Sequence, residues 1–259
     1  MVTVDLNFAD LEYFLLILVR VSMFVYVVPF FSMNAVPRRY RVVLSVMISV
    51  LLYGALPRQE VLYDTVYDYA VIVAKELITG ALIGMGVNLC SSILALTGTI
   101  ADMEVGFSMV TLMDPSTRQQ TTITSTLYRN LIMLILVISG MYEYIIRALA
   151  ESYELIPVYG ANFDAAKLLN VAINFMGRYV LVGFQICLPI FAAILMLNAV
   201  LGILAKVAPQ MNMFAIGLQL KILVGLVAIF LTLFLMPTAA KLIFAEARRM
   251  TVAFVEALM

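Results

Sequence analysis

Histidine is absent from this chain of 259 residues, and Asp, Glu, Lys and Arg together make up only 12% of it. Without histidine the chain lacks the commonest general base and the commonest metal ligand, which argues against an enzyme or a metal centre. The two cysteines, Cys90 and Cys187, lie far apart inside apolar runs and form no C-x-x-C motif. We interpret both as small buried apolar residues.

Basic stripes and nucleotide-binding motifs are also missing. Lys and Arg equal Asp and Glu in number, so the net charge is zero, and no run of basic residues is suited to neutralising phosphates. The phosphate-cradling pattern G-x-x-x-x-G-K-[ST] does not occur. The sequence therefore predicts no nucleic-acid partner and no bound cofactor.

Apolar residues are in large excess. They make up 64% of the chain and the mean hydropathy is +1.06, whereas soluble domains are roughly 45–50% apolar. No single soluble core of this length can bury that much apolar surface, so the excess has to face lipid or other apolar chains. The acidic start, MVTVDLNFAD, lacks the basic region of a cleavable signal, and we expect the first apolar run to be retained.

Six apolar stretches of unequal length divide the chain. Two of them are nearly twice the roughly 20 residues that cross a bilayer, which favours broken hairpins or long kinked helices. The stretches lack the alternation of barrel strands, so the sequence predicts an all-α polytopic membrane protein that forms a single domain over residues 1–259. The stretches are Leu11–Ser32, Val42–Leu56, Thr65–Ile100, Thr122–Leu149, Ala165–Lys206, which contains Pro189, and Met211–Met236.

The C-terminal segment, residues 237–259, has an amphipathic pattern. Its apolar residues recur every three or four positions, and its charged residues fall on the opposite side of a helix. Such a helix is expected to lie on the membrane surface or to dock on a partner helix. The apolar set is Ile243, Ala247, Met250, Phe254 and Leu258, and the charged set is Lys241, Glu246, Arg248, Arg249 and Glu256.

The charge of the connections predicts an orientation in the membrane. Arg38, Arg39 and Arg41 follow the first stretch and Lys206 follows the fifth, so the positive-inside rule assigns these connections to the cytoplasm and the N-terminus to the outside. The third connection is net negative, although alternation also assigns it to the cytoplasm. The rule is therefore only partly satisfied by this chain.

Ionisable residues lie inside the apolar runs, where they are costly and usually face protein or water. Two of them, Glu76 and Lys221, are followed at four-residue spacing by glycine, which lets helix backbones approach closely. Two interpretations stay open: these faces are helix-packing surfaces, or they line an aqueous or substrate path. The faces comprise Glu76, next to Lys75, with Gly80, Gly84 and Asn88; Gly217, Lys221 and Gly225; and Asn174, Arg178 and Gln185. Arg20 is a further ionisable residue inside an apolar run.

Matching glycine contexts suggest a specific pairing between two of these charges. Glu76 begins a series of residues four positions apart that includes Gly80 and Gly84. Lys221 lies at the centre of a similar series, between Gly217 and Gly225. We therefore hypothesise that Glu76 and Lys221 form an ion pair across a helix–helix contact.

The connection Asp102–Arg118 combines glycine, methionine and other apolar residues with a turn signal at Asp114-Pro115-Ser116. Apolar loop residues cost free energy in water, so we expect them to plug an opening or pack into a partner. Methionine and glycine suit a deformable seal. An ordinary re-entrant connection packed in protein is an equally open interpretation.

A distinctive stretch runs over Ala208–Gly217, with Pro209, Gln210, Asn212 and Phe214, and is followed by Lys221 and Gly225. The central connection contains Gly106-Phe-Ser-Met and Asp114-Pro115. By these motifs and others that occur in the same order over most of the chain, it resembles the FliR family of the bacterial flagellar, or type III, protein-export gate. The chain departs from the family pattern at Gln219, where many relatives are expected to have proline, and this departure bears on the helix geometry after Gly217. The virulence-associated export gates have a similar subunit.

The resemblance implies a fold, a function and partners. It implies long kinked helical hairpins in a hetero-oligomeric helical ring, with one such subunit beside FliP-like and FliQ-like small membrane subunits and other export apparatus components. It implies no enzymatic activity, a location in the bacterial inner membrane within the flagellar basal body, contact with membrane lipid, and passage of unfolded flagellar proteins. It also implies that the central loop gates the channel. The gate residues are expected to be Gly106, Phe107, Ser108, Met109, Met113, Asp114 and Pro115.

Two other functions remain possible from the residues alone. A secondary transporter of a small solute would explain interior charges and broken helices, but it predicts matched repeats, which the sequence does not show. An intramembrane enzyme would have to rely on carboxylates, and Asp102 with Glu104 is the only close acidic pair in the central connection. That spacing is common in solvated loops.

Overall fold

A computed structural model of the chain describes residues 8–29, 31, 37–57, 61, 63–107, 122–158, 160–210 and 212–259. The regular secondary structure of these residues is entirely helical, which confirms the predicted all-α class. Long apolar runs form helices because a helix satisfies its backbone hydrogen bonds within one segment. In chain order the helices are α1 (Phe8–Val27), α2 (Arg38–Ala55), α3 (Val66–Val105), α4 (Ile123–Ile138), α5 (Met141–Leu155), α6 (Ala165–Val207), α7 (Met213–Leu233) and α8 (Met236–Ala257).

Two helix boundaries differ from the bounds of the apolar stretches. The stretch Thr122–Leu149 is not one helix, because the chain breaks at Ser139 and Gly140, and Gly140 has a φ of 69° that favours glycine. The apolar pattern continues across this break, so hydropathy alone did not reveal it. In addition, α3 continues past Ile100 to Val105, so the first residues of the predicted central connection are helical.

Long apolar helices confirm the prediction of a polytopic membrane protein. Among the described residues, three helices are long and apolar enough to cross a bilayer, and α4 with α5 makes a fourth if that broken pair forms one span. The three are Val66–Val105, Ala165–Val207 and Phe214–Leu233. The spans are fewer than the six apolar stretches, because α1 contains Asp10, Glu12 and Arg20 and α2 begins with three arginines.

The chain divides into two compact units. The first comprises residues 1–89, 140–175 and 245–259, and the second comprises residues 90–139 and 176–244. In the first unit α1 supplies much of the core, since Leu16, Ile17 and Val21 have no exposed surface. In the second unit Tyr128, Ile190 and Ile194 are completely buried. Whether the whole chain behaves as one domain remains a prediction.

Much of the apolar surface outside these cores is exposed. Along α6, Ile173, Met196 and Ile203 are each at least 60% exposed, and α7 exposes Leu223 and Phe230 to a similar degree. Exposed apolar area on this scale marks contact with lipid or with other protein chains.

The C-terminal helix α8 is amphipathic as predicted. The five residues of its apolar face are buried within the chain, and Lys241, Arg248, Arg249 and Glu256 are exposed. The apolar face is therefore covered by the chain itself. The buried residues are Ile243, Ala247, Met250, Phe254 and Leu258.

Candidate functional site

An ion pair without any exposed surface connects α1 to α3 in the first unit. The Arg20 guanidinium donates from Nε to Oε2 of Glu76 at 2.6 Å and from Nη2 to Oε1 at 3.0 Å. Both side chains are 0% exposed. A two-point pair of this kind is strong and orientationally specific, because the planar guanidinium matches the carboxylate.

Arg20 also binds the C-terminal end of α5. Its Nη1 donates to the carbonyl oxygen of Ile156 at 2.9 Å, and it lies 3.5 Å from that of Ser152. The guanidinium carbon lies 4.2 Å from the centre of the Tyr153 ring. The last carbonyl groups of a helix lack partners within the helix and form its negative pole, so a buried cation there is stabilised. Arg20 therefore joins α1, α3 and the end of α5.

Glycine makes the close approach of α1 and α3 possible. A Cβ atom on Gly80 would lie 3.0 Å from the backbone carbonyl carbon of Arg20, and one on Gly84 would lie 3.2 Å from the carbonyl oxygen of Phe24. Gly80 and Gly84 lie one helical turn from each other and follow Glu76 on the same face of α3. This face packs against α1, and Asn88 at its end is half-buried.

Within the first unit, the structure pairs Glu76 with Arg20. Arg20 engages both carboxylate oxygens of Glu76. Lys221 belongs to the second unit and is half-buried there. A pairing between Glu76 and Lys221 remains a hypothesis without support from these contacts.

A buried carboxylate joins the two helices that flank the central loop in the second unit. Oδ2 of Asp102, near the end of α3, accepts from the backbone N–H of Thr124 at 3.0 Å, and Oδ1 accepts from the Thr124 hydroxyl. Both residues are about 1% exposed. Asp102 thus provides an acceptor for the first turn of α4, where backbone N–H groups have no partner within the helix.

Close backbone contacts surround this pair. A Cβ atom on Gly98 would lie 2.6 Å from Cβ of Ser125, and one on Gly225 would lie 3.0 Å from Cβ of Val105. Gly98 and Gly225 therefore let α3 contact α4 and α7 closely. This arrangement defines the loop base, by which we mean Asp102, Thr124, Gly98, Ser125 and the Val105–Gly225 contact.

Only the beginning of the predicted gate loop belongs to the described residues. Gly106 ends α3 with a φ of 97°, a conformation that favours glycine, and a Cβ atom there would lie 3.2 Å from Cδ1 of Leu218. Phe107 is half-buried. The remaining predicted gate residues, Ser108, Met109, Met113, Asp114 and Pro115, lie outside the described residues.

The stretch that carried the family resemblance forms the turn between α6 and α7. Asn212 caps α7, because its Oδ1 accepts from the backbone N–H of Ala215 at 3.4 Å. Pro209 and Gln210 are exposed, and Phe214 is 73% exposed. An aromatic side chain with that exposure is suited to contact outside this chain.

The remaining residues of the predicted packing or polar faces differ in burial. Gly217 and Gly225 are buried, whereas Asn174, Arg178 and Gln185 on α6 are exposed. A Cβ atom on Gly217 would be in ordinary contact with Leu201 at 3.5 Å. The glycine positions are therefore internal packing contacts, and the α6 polar residues face outward.

The sequence did not reveal two further buried contacts. The Tyr128 hydroxyl lies 2.6 Å from the Thr232 hydroxyl, which itself donates to the Ile229 carbonyl oxygen, so Tyr128 is the donor. The Thr97 hydroxyl lies 3.1 Å from the Gly183 carbonyl oxygen. Threonine and tyrosine are too common in apolar helices for a pattern to single these out, although interhelical hydroxyl contacts are typical of membrane proteins.

The connection between α2 and α3 is tied to the beginning of α1. Tyr63 donates to Oε1 of Glu12 at 2.6 Å, and the Tyr13 hydroxyl lies 3.2 Å from the Pro57 carbonyl oxygen. The hydrogen bond to Glu12 raises the pKa of Tyr63 above its ordinary value, because ionisation would remove the donated proton. These contacts hold a connection; they do not assemble a catalytic group.

Comparisons with known proteins place these contacts in a family context. A family model described as "Bacterial export proteins, family 1" matches residues 11–247. The flagellar biosynthetic protein FliR of Aquifex aeolicus is 29% identical over 216 residues, which cover 83% of this chain and 82% of that protein. The protein of the same name from Bacillus subtilis is 24% identical over 216 residues, with 83% of each chain covered. That of Escherichia coli is 24% identical over 210 residues, with 81% of this chain and 79% of that protein covered.

Proposed function

Because the chain belongs to the bacterial export proteins, family 1, we propose that it is a structural and gating subunit of the flagellar protein-export channel in the inner membrane. The resemblance to the FliR family inferred from the motifs is thereby confirmed. The chain contributes structure, not catalysis. Its contribution to export is to help unfolded flagellar proteins cross the membrane.

The observation that carries the gating role is the loop base. Asp102 and Thr124 hold together the end of α3 and the start of α4, which precede and follow the central loop. These contacts fix the two points from which the central loop begins and ends, as a loop that acts at a defined place on a scaffold requires. Gly106 directly after α3 adds a position of unusual backbone conformation.

We assign the gate to Gly106, Phe107, Ser108, Met109, Met113, Asp114 and Pro115. Apolar side chains in this segment would close the pore to water and ions, because a dry apolar constriction is costly for an ion to enter. Glycine would allow the segment to move aside when a substrate enters.

The partners are proposed to be FliP-like and FliQ-like small membrane subunits, other export apparatus components and the exported chains. Support comes from the exposed apolar faces of α6 and α7, which exceed what a monomer in water tolerates. Phe214 and the exposed polar residues of α6 are positions where such subunits can contact this chain.

The test is co-expression of this chain with its genomic neighbours, followed by purification in mild detergent and native mass spectrometry. The expected result is a complex with one copy of this chain and several copies of two other small membrane proteins. A stable monomer or homodimer without such partners would contradict the proposal. A Phe214→Ala variant should lower the yield of the complex, whereas Lys206→Gln, a nearby exposed change, should not.

A further inference from the structure

A groove lies between α1 and α2 in the first unit. Its volume is about 440 Å³, within the range of roughly 300–1,000 Å³ that is typical of small-molecule sites. Leu18 and Met23 of α1 and Val42 and Val46 of α2 contribute to its walls, together with Arg38 and Arg41. These last two are charged groups, so the groove is amphipathic.

The charged groups are confined to one end of the groove. Tyr53, near the end of α2, contacts Tyr13 and Phe14 near the start of α1, so the two helices are antiparallel. The start of α2, with Arg38 and Arg41, therefore lies beside the end of α1. From Arg38 to Val46 the groove extends about 12 Å along α2 at 1.5 Å per residue.

The walls away from the arginines are apolar even where they contain serine. The Ser22 hydroxyl donates to the Val19 carbonyl oxygen at 3.0 Å, and the Ser45 hydroxyl donates to that of Arg41 at 2.8 Å. Each hydroxyl proton is thus already used within its own helix. A ligand in this part of the groove meets hydrocarbon surface and needs no polar groups.

The arginine end carries an excess of positive charge. Three arginines, Arg38, Arg39 and Arg41, occupy the first turn of α2, where the helix already has its positive pole, and no acidic residue lies in that turn. Pro37 precedes the helix and makes no side-chain capping hydrogen bond. An anionic group beside Arg38 and Arg41 would be stabilised by both guanidinium groups.

The faces of α2 show that it belongs in an apolar environment. Its buried residues are Ser45 and Ser49, whereas Val43, Met47 and Leu51 are more than half exposed. In water the apolar face would be the buried one. Small residues at the helix contact and large apolar residues outside are the arrangement of helices surrounded by hydrocarbon.

We propose that this groove binds a membrane phospholipid with an anionic headgroup. Arg38 and Arg41 bind its phosphate, and an acyl chain lies against Leu18, Met23 and Val46. Charge complementarity at one end and apolar walls along the rest match the two parts of such a lipid, and basic pockets beside membrane helices are known to bind anionic headgroups. The predicted cytoplasmic position of the arginines is consistent with this side of the bilayer.

The first test is native mass spectrometry of the assembled complex after incubation with phosphatidylglycerol or phosphatidylcholine. We expect a phosphatidylglycerol adduct that falls about tenfold or more in an Arg38→Gln/Arg41→Gln variant, because two charge-assisted contacts are lost. Arg39→Gln is the matched control, since it removes the same charge from the same turn but does not line the groove. An adduct that Arg39→Gln reduces equally would overturn the proposal.

The second test uses the absence of tryptophan from this chain. A Met23→Trp variant of the full chain, reconstituted in vesicles, carries a single fluorophore in the groove. Phosphatidylglycerol with brominated acyl chains should quench it more strongly than brominated phosphatidylcholine, and Arg38→Gln/Arg41→Gln should abolish that difference. Equal quenching by both lipids would refute the proposal. In the mass spectrometry test, an assembled complex without any lipid adduct would also refute it, since another subunit would then fill the groove.

Discussion

Arg20 of α1 and Glu76 of α3 form a two-point ion pair in which neither side chain has any exposed surface. The pair is completed by carbonyl groups at the end of α5 and by the ring of Tyr153. Burying two charges is costly, and such a pair is sustained only when the remaining hydrogen-bonding groups are also satisfied. The surroundings of Arg20 meet that condition, so the pair determines how three helices of the first unit fit together.

Removing one partner of this pair should be more harmful than removing both. Glu76→Leu or Arg20→Met is expected to destabilise the protein by about 3–5 kcal/mol, because an uncompensated charge stays buried. The double variant Arg20→Met/Glu76→Leu should recover part of that loss. Thermal unfolding of the detergent-purified protein measures the effect, with Lys75→Gln, the adjacent half-buried position, as control. Additive losses in the double variant would contradict this account.

Thr124 should matter at the loop base through its hydroxyl group. Thr124→Val keeps the size of the side chain but leaves one oxygen of Asp102 without its donor, and we expect a loss of about 1–3 kcal/mol in stability. Thr124→Ser keeps the donor and should be close to the original protein. The melting temperature of the purified protein distinguishes the two variants. If valine and serine behave alike, the hydroxyl contact does not stabilise the loop base.

The effect of replacing a glycine by alanine on stability should depend on how closely other atoms approach that glycine. Gly80→Ala places a methyl group against the backbone of Arg20, and we expect overpacking to cost about 1–3 kcal/mol. Gly202→Ala meets nothing within 4 Å and should be neutral or should stabilise α6 by up to about 1 kcal/mol. Unfolding of the purified chain compares them. Equal stability of the two variants would show that α1 and α3 do not approach as described.

Shortening the segment Gly106–Met113 should make the assembled channel leaky to ions, because the apolar constriction is lost. The measurement is membrane conductance in cells in which assembly of the complex has been verified. A segment of the same length built from glycine and serine is the control that separates loss of apolar side chains from loss of length. Unchanged conductance in both variants would remove the gate assignment.

The helical class and the membrane location followed from the sequence because they depend on local quantities. Hydropathy and run length report how much apolar surface a segment presents, and this does not depend on where the other segments lie. The same holds for the apolar face of α8, which was identified from spacing alone, whereas its burial within the chain was not predicted. The motifs around Asn212 indicated the family for the same reason, since they are contiguous in the chain.

What the tertiary structure decided is which residues meet. Glu76 was recognised as an ionisable residue inside an apolar run, but its contact with Arg20, which lies 56 positions away, was not predicted. Asp102 was assigned to a connection, whereas the helix extends to Val105 and its carboxylate binds Thr124. The spacing of residues along one helix defines a face of that helix. Which of several possible partners that face contacts depends on the free energy of packing the whole chain. A buried charge is stable only where a complementary group is close enough to replace the water it has lost.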